Sequence, residues 1–173
     1  GPAGEAEVAL IEEAFRACGA GEVFSTSDRV ESEAFTAARR AAIPAVEKLG
    51  ALLLEDVGVP LPALPDLIDG VETIAAENKV LISVIAHAGD GNTHPLIVHD
   101  PADADETARA NRAFGQIMDL AISLGGTITG EHGVGRLKKG WLRDQVGDDV
   151  MELMATLKSA LDPQGLLNPG VML

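Results

Sequence analysis

The run Val80-Leu-Ile-Ser-Val-Ile-Ala-His-Ala-Gly-Asp-Gly-Asn-Thr-His-Pro-Leu-Ile-Val98 decides how this chain folds and where its chemistry sits. Val80–Ala86 is rich in β-branched residues and reads as a strand, and Pro95–Val98 reads as a second, shorter one. Between them lies a polar turn in which Gly89 and Gly91 permit a tight reversal. If the two strands pair as a hairpin, His87 and His94 lie at the same end of one sheet and converge on one ion. Asp90 is either a turn former or a partner that orients an imidazole, and Asn92 supplies a left-handed turn conformation.

A second polar cluster, Thr129-Gly-Glu-His-Gly-Val-Gly135, follows a short predicted strand at Thr127–Thr129. It adds a carboxylate and a further imidazole on a glycine-flexible loop. His87, His94 and Glu131 together make a facial donor set for Zn²⁺, Mn²⁺ or Fe²⁺, with positions left open for substrate. Against this, a histidine at a strand end is usually a satisfied polar residue, and two histidines seven apart are weak evidence alone. The adjacent Glu131-His132 between glycines strengthens the metal reading until the two are evenly matched. His99, in His-Asp-Pro, has no visible partner and reads as surface. Lys138 and Lys139 either steer an anionic substrate or solubilise a helix start, and spacing does not separate the two.

Working outward, helices and strands alternate. Helical periodicity over Glu5–Cys18 stops at Gly19, and Cys18 falls in its apolar pattern as an inert core thiol. Val23–Ser27 reads as a short strand. Asp28-x-x-Glu31 reads as a capping box opening a helix to about Leu49, which Pro44 should kink or restart. Ala51–Val57 is a predicted strand, Val59–Pro65 an extended connection, and Pro65 a first-turn residue of a helix to Asn78. Beyond the hairpin come a long amphipathic helix at Ala104–Leu124, helices at Leu137–Gln145 and Asp148–Leu161, and a turn-rich tail. The pattern fits an α+β sandwich, a largely antiparallel sheet with helices on one face. No G-x-G-x-x-G follows a strand, so a dinucleotide-binding fold is not indicated.

The bulk numbers narrow the function classes. At 173 residues the chain reads as one domain, residues 1–173, with room for a sizeable core. Its formal charge of −14, from 27 acidic against 13 basic residues, argues against nucleic acid or an anionic membrane as partner. Aromatics at 3% leave no stacking platform for single strands. A single cysteine suits a reducing cytosol, so the expected location is cytoplasmic, with membrane association only through a partner. The opening Gly1-Pro2-Ala3-Gly4-Glu5 lacks the regions of a signal peptide.

Taken together, His87-Ala-Gly-Asp-Gly-Asn-Thr-His-Pro95, Gly125-Gly-Thr-Ile-Thr-Gly-Glu-His-Gly-Val-Gly-Arg-Leu-Lys-Lys139 and Leu161-Asp-Pro-Gln-Gly-Leu-Leu-Asn-Pro-Gly170 resemble the C-terminal domain of FAD-linked oxidases. Ala37–Val46 and Val59-Pro60 match more weakly. This is the cap domain of the group holding glycolate oxidase FAD subunits, D-lactate dehydrogenases and D-2-hydroxyglutarate dehydrogenases. The resemblance implies a ferredoxin-like cap over an FAD held by a separate N-terminal domain, with the chain beginning inside the cap. Carried over by position, His87, His94 and Glu131 bind the divalent metal and His132 is the general base. Arg39 pairs with the substrate carboxylate, and Asn168 lies on the flavin side. The family often has Trp three residues before that arginine; here the position is Thr36. Leu53-Leu-Glu-Asp56 lacks the lysine that some hydroxyglutarate-type members use, which favours a small monocarboxylate such as glycolate or lactate.

The implied chemistry is coherent. A metal held by hydroxyl and carboxylate oxygens lowers the hydroxyl pKa, and a neutral histidine accepts the proton. Flavin takes the hydride. Two other readings use the same residues: a flavin-independent metal hydrolase, and a non-enzymatic module with a closed, structural four-ligand metal. A redox partner subunit is expected by resemblance to glycolate oxidase complexes, and the oligomeric state is left open.

Overall fold

The computed structural model describes residues 1–173, which divide into two compact units, Gly1–Ala45 and Val46–Leu173. The buried core lies in the second.

The first unit carries helix α1 (Pro2–Ala17) and most of helix α2 (Arg29–Glu47), neither of which has a fully buried residue. Pro2 occupies the first turn of α1, where its missing N–H costs nothing. Asp28 caps α2 as the sequence suggests: its Oδ1 accepts from the N–H of Val30 at 2.9 Å and of Glu31 at 3.0 Å. The reciprocal half of the capping box is replaced, because the Glu31 carboxylate accepts from the Thr26 hydroxyl instead. Pro44 sits within the last turn of α2, and the helix runs on to Glu47 rather than restarting. Two expectations fail here. Val23–Ser27 forms no strand, since no neighbouring strand pairs with it, and Cys18 is exposed rather than a core thiol.

The second unit is built on the hairpin. Strand β3 (Leu81–His87) and strand β4 (Asn92–His99) pair antiparallel, with His87 opposite Asn92 and Ile85 opposite His94. Gly91 closes the turn at φ +80°, and a Cβ there would lie 2.1 Å from the Val59 carbonyl oxygen. Only glycine fits both constraints. Asp90 is a turn former, its Oδ1 accepting from Asn92 N at 3.0 Å. The positive φ belongs to Gly91, so Asn92 is the first residue of β4 rather than a left-handed turn residue.

On the other edge of β4 lie β1 (Ala51–Leu54) and β2 (Val57–Gly58), where the sequence suggests one strand. Glu55 and Asp56 interrupt it, yet Glu55 N still donates to Pro95 O at 2.9 Å, so the edge is continuous. The predicted strand Thr127–Thr129 is reduced to one antiparallel bridge, Thr127 to Gly58. The resulting order, Thr127 then β1/β2 then β4 then β3, is all antiparallel and ferredoxin-like.

Helices α3 (Leu64–Asn78) and α4 (Ala104–Ser123) pack on each other and on this sheet. Leu67, Val71 and Ile74 from α3 meet Ala110, Phe114, Ile117 and Ala121 from α4 over Val57 and Ile97. Spacings of three, four and seven put each set on one helical face. Each large aliphatic side chain buried this way contributes roughly 1.5–3 kcal/mol. Asp103 caps α4 through the N–H groups of Asp105 and Glu106. The last two predicted helices meet as one run, α5 (Lys139–Leu161), broken at Gly147 with φ +78°. His99, expected at the surface, is buried, its Nδ1 3.1 Å from the Thr107 hydroxyl at the start of α4. No helix is long and apolar enough to cross a membrane.

Candidate metal centre

Strand periodicity explains why the hairpin histidines meet. His87 lies opposite Asn92, and Asn92 and His94 are two apart on β4, so both imidazoles stand on one face. Their rings sit edge to face with centroids 5.4 Å apart. The loop after Thr127 then delivers Glu131 between them. Its Oε1 is 3.2 Å from His94 Nε2 and 3.4 Å from His87 Nε2. His94 is the enclosed member, with its side chain 8% exposed, whereas the side chains of His87 and Glu131 are 41% and 55% exposed. The three form one donor cluster with ligand atoms mutually within 4.8 Å.

His132 stacks on His94, with ring centroids 4.9 Å apart and planes 13° from parallel. Its Nε2 is 3.9 Å from Glu131 Oε1 and its side chain is 45% exposed. It lies beside the cluster, open to an incoming molecule.

A second grouping within the same 4.8 Å limit comprises Asp56, His94 and His132. The hydrogen bonds separate the two. Both Asp56 oxygens are already occupied: Oδ2 accepts from the Thr129 hydroxyl (2.8 Å) and from the N–H of Gly130 (2.9 Å), Glu131 (3.0 Å) and His132 (2.8 Å). Oδ1 accepts again from Glu131 N at 3.2 Å. Burial alone would raise this carboxyl, but the N–H of His132, the Thr129 hydroxyl and the N–H of Glu131 outweigh it and hold the group below the ordinary aspartate range. His87, His94 and Glu131 carry no such load. Two imidazoles and one carboxylate with outward-facing space suit a borderline divalent ion, so these are the residues that fit a metal.

Lys138, expected to meet substrate, has a different job. It is buried, and its Nζ donates to Asp56 O and Ile128 O, both at 2.8 Å, with Glu55 Oε2 at 3.6 Å. Those contacts staple the β1–β2 junction to the segment leading into the Glu131 loop. Arg39 is exposed on α2 in the first unit. Asn168 is exposed in the C-terminal tail at φ +46°, its carbonyl accepting from Val171 N at 3.1 Å.

Asp56 and Glu55 escaped the sequence reading, where they served only to show the absence of a lysine. A signal was present: two adjacent acids interrupt an apolar strand, and both are fully buried. Acids there require partners supplied from elsewhere in the chain.

A cavity of about 490 Å³ flanks the cluster, lined by Val59, Pro60, Asn92, Thr127, Gly130 and Glu131 among others. Asn92 Oδ1 is buried there without a hydrogen-bond partner. The lining holds no lysine or arginine.

Residues 2–172 match the family described as FAD linked oxidases, C-terminal domain. The chain is 42% identical over 147 residues to the glycolate oxidase subunit GlcD of Bacillus subtilis, covering 83% of this chain and 31% of the relative. It is 38% identical over 153 residues to the Escherichia coli K12 subunit of that name, covering 88% and 31%. A probable mitochondrial D-lactate dehydrogenase of Danio rerio is 42% identical over 118 residues, covering 68% and 24%. The chain therefore spans about a third or less of the length of these relatives. With residues 2–172 matched, the chain belongs to the family of C-terminal domains of FAD-linked oxidases.

Proposed function

We propose that residues 1–173 form the cap of an FAD-dependent 2-hydroxyacid dehydrogenase, holding a divalent metal on His87, His94 and Glu131 and using His132 as the base. The observation that carries this reading is the approach of one Glu131 oxygen to both His87 and His94, with the His132 ring stacked alongside. A bound Zn²⁺, Mn²⁺ or Fe²⁺ would act as a Lewis acid on the hydroxyl and carboxylate oxygens of the substrate. FAD, held by a separate domain, would supply the hydride acceptor.

The chain's own residues bind, orient and move one proton. His94, enclosed between the turn and the Glu131 loop, is the fixed member around which the exposed His87 and Glu131 are arranged. His132 accepts the α-hydroxyl proton as the Cα–H bond breaks, leaving the 2-oxoacid. A positioned base of this kind contributes roughly 10²–10⁴-fold. By the family resemblance, Arg39 is the residue that pairs with the substrate carboxylate. One such charge is enough for a small monocarboxylate such as glycolate or lactate, as in the substrates that name the relatives. Asn168 is the residue assigned to the flavin side. The expected setting is cytoplasmic, with a redox partner taking the electrons onward.

A closed structural metal is disfavoured, since a three-donor cluster with two half-exposed members leaves coordination positions open. The test uses the full-length protein. His132→Ala keeps stoichiometric metal but loses single-turnover flavin reduction by 10²-fold or more. His87→Ala and Glu131→Ala lose metal by elemental analysis. Unchanged flavin reduction in the first variant removes the base assignment, and stoichiometric metal in the others removes the ligand assignment.

A further inference from the structure

We infer that Asp56 is the positioning residue of this site, and this rests on the metal reading above. Its carboxylate is fully buried and gathers the hydroxyl of Thr129 with three successive N–H groups, those of Gly130, Glu131 and His132. Successive N–H groups folded around one anion form a nest, and the anion dictates the loop's shape. Here the nest is made of the backbone of the proposed ligand Glu131 and the proposed base His132. The shape Asp56 imposes is therefore the one that aims both side chains.

Three further contacts support this role. The Thr129 hydroxyl that donates to Asp56 also accepts from Gly133 N at 2.8 Å, so the loop is closed around the same carboxylate. Lys138 fixes the Asp56 backbone to Ile128, just before the loop begins. On its other side, Asp56 Oδ1 stands 3.7 Å from His94 Nδ1, a buried ring nitrogen with no hydrogen-bond partner. A carboxylate behind the far nitrogen of a ligating histidine orients the ring and keeps Nε2 free for the ion. Asp56 thus addresses Glu131, His132 and His94 at once without touching the substrate side.

The experiment is Asp56→Asn in the full-length protein. Asparagine has the same shape, but it loses the charge and turns an NH₂ toward N–H donors. Amide exchange of metal-free protein and Mn²⁺ affinity are measured together, well below the unfolding temperature. Expected are exchange at least 10-fold faster confined to residues 129–133, and Mn²⁺ binding weakened 10–100-fold, as for loss of comparable outer partners. The fall in kcat should exceed any change in KM, because the base is displaced with the ligand. Unchanged exchange over 129–133 with Mn²⁺ affinity within 3-fold of wild type overturns the inference, as does faster exchange spread evenly over the chain. Should Asp56→Asn not fold, Thr129→Val removes one donor to the carboxylate. Mn²⁺ affinity lowered 3-fold or more supports the inference, and an unchanged affinity overturns it. If wild-type protein binds no Mn²⁺, the metal reading falls, and exchange over 129–133 alone decides whether Asp56 holds the loop.

Discussion

Glu55→Gln replaces one oxygen of a wholly enclosed carboxyl group, and its effect on stability should depend steeply on pH. The Glu55 side chain is 0% exposed, neither oxygen has a hydrogen-bond partner, and the nearest cation, Lys138 Nζ, is 3.6 Å away. Burial pushes the carboxyl from 4.5 to about 8, against the pull of the Lys138 ammonium. Between pH 4.5 and about 8 the folded protein therefore keeps a proton that the unfolded chain has released. Stability conferred by that proton is fully present below pH 4.5, declines as pH rises, and is lost once pH passes about 8. The slope from this group is up to about 1.4 kcal/mol per pH unit. Lys138, itself held below its ordinary value by burial and raised again by Glu55, shares the titration and softens the slope. Across the window the effect is on the order of 2–5 kcal/mol. Glutamine carries no proton to lose, so the stability of Glu55→Gln relative to wild type should rise by that amount from pH 5 to pH 8. Urea unfolding of metal-free full-length protein at four pH values measures it. A difference that stays constant across the range would show Glu55 ionised throughout as the partner of Lys138, and the burial reasoning would be wrong.

Other consequences follow from particular contacts. Gly91→Ala must place a Cβ against the Val59 carbonyl at positive φ, and it should cost about 2–4 kcal/mol in chemical unfolding. Because that strain sits in the turn between His87 and His94, metal affinity should fall with it. Ile117→Ala removes a side chain that is 0% exposed at the centre of α4, with an expected cost of about 2–5 kcal/mol and no change in metal stoichiometry. A metal loss in that variant would show that the cluster depends on the helix layer, contrary to the strand and loop contacts that define it.

Much of the second unit was legible from residue patterns. The hairpin, the boundaries of α3 and α4 and the break near Gly147 follow from local preferences: β-branched runs, period-3.6 apolar faces and glycines at forced turns. That His87 and His94 come together was equally legible, because strand period and a short turn put both on one face. The misreadings in the first unit share one cause. Cys18 lies in an apolar helical pattern yet is exposed, and Val23–Ser27 has strand composition yet no partner strand. Periodicity reports which face a helix would bury; it is silent on whether anything packs there.

Residue types and their spacing thus carried the α+β class, the hairpin and the candidate ligands, since each depends on neighbours a few positions apart. What Asp56, Glu55, Lys138 and His99 do was decided only by the assembled fold. Asp56 meets its loop across 74 to 76 positions, and Lys138 reaches back 82 to the Asp56 carbonyl. A buried charge has no local signature, because its partners come from whatever the tertiary packing brings against it.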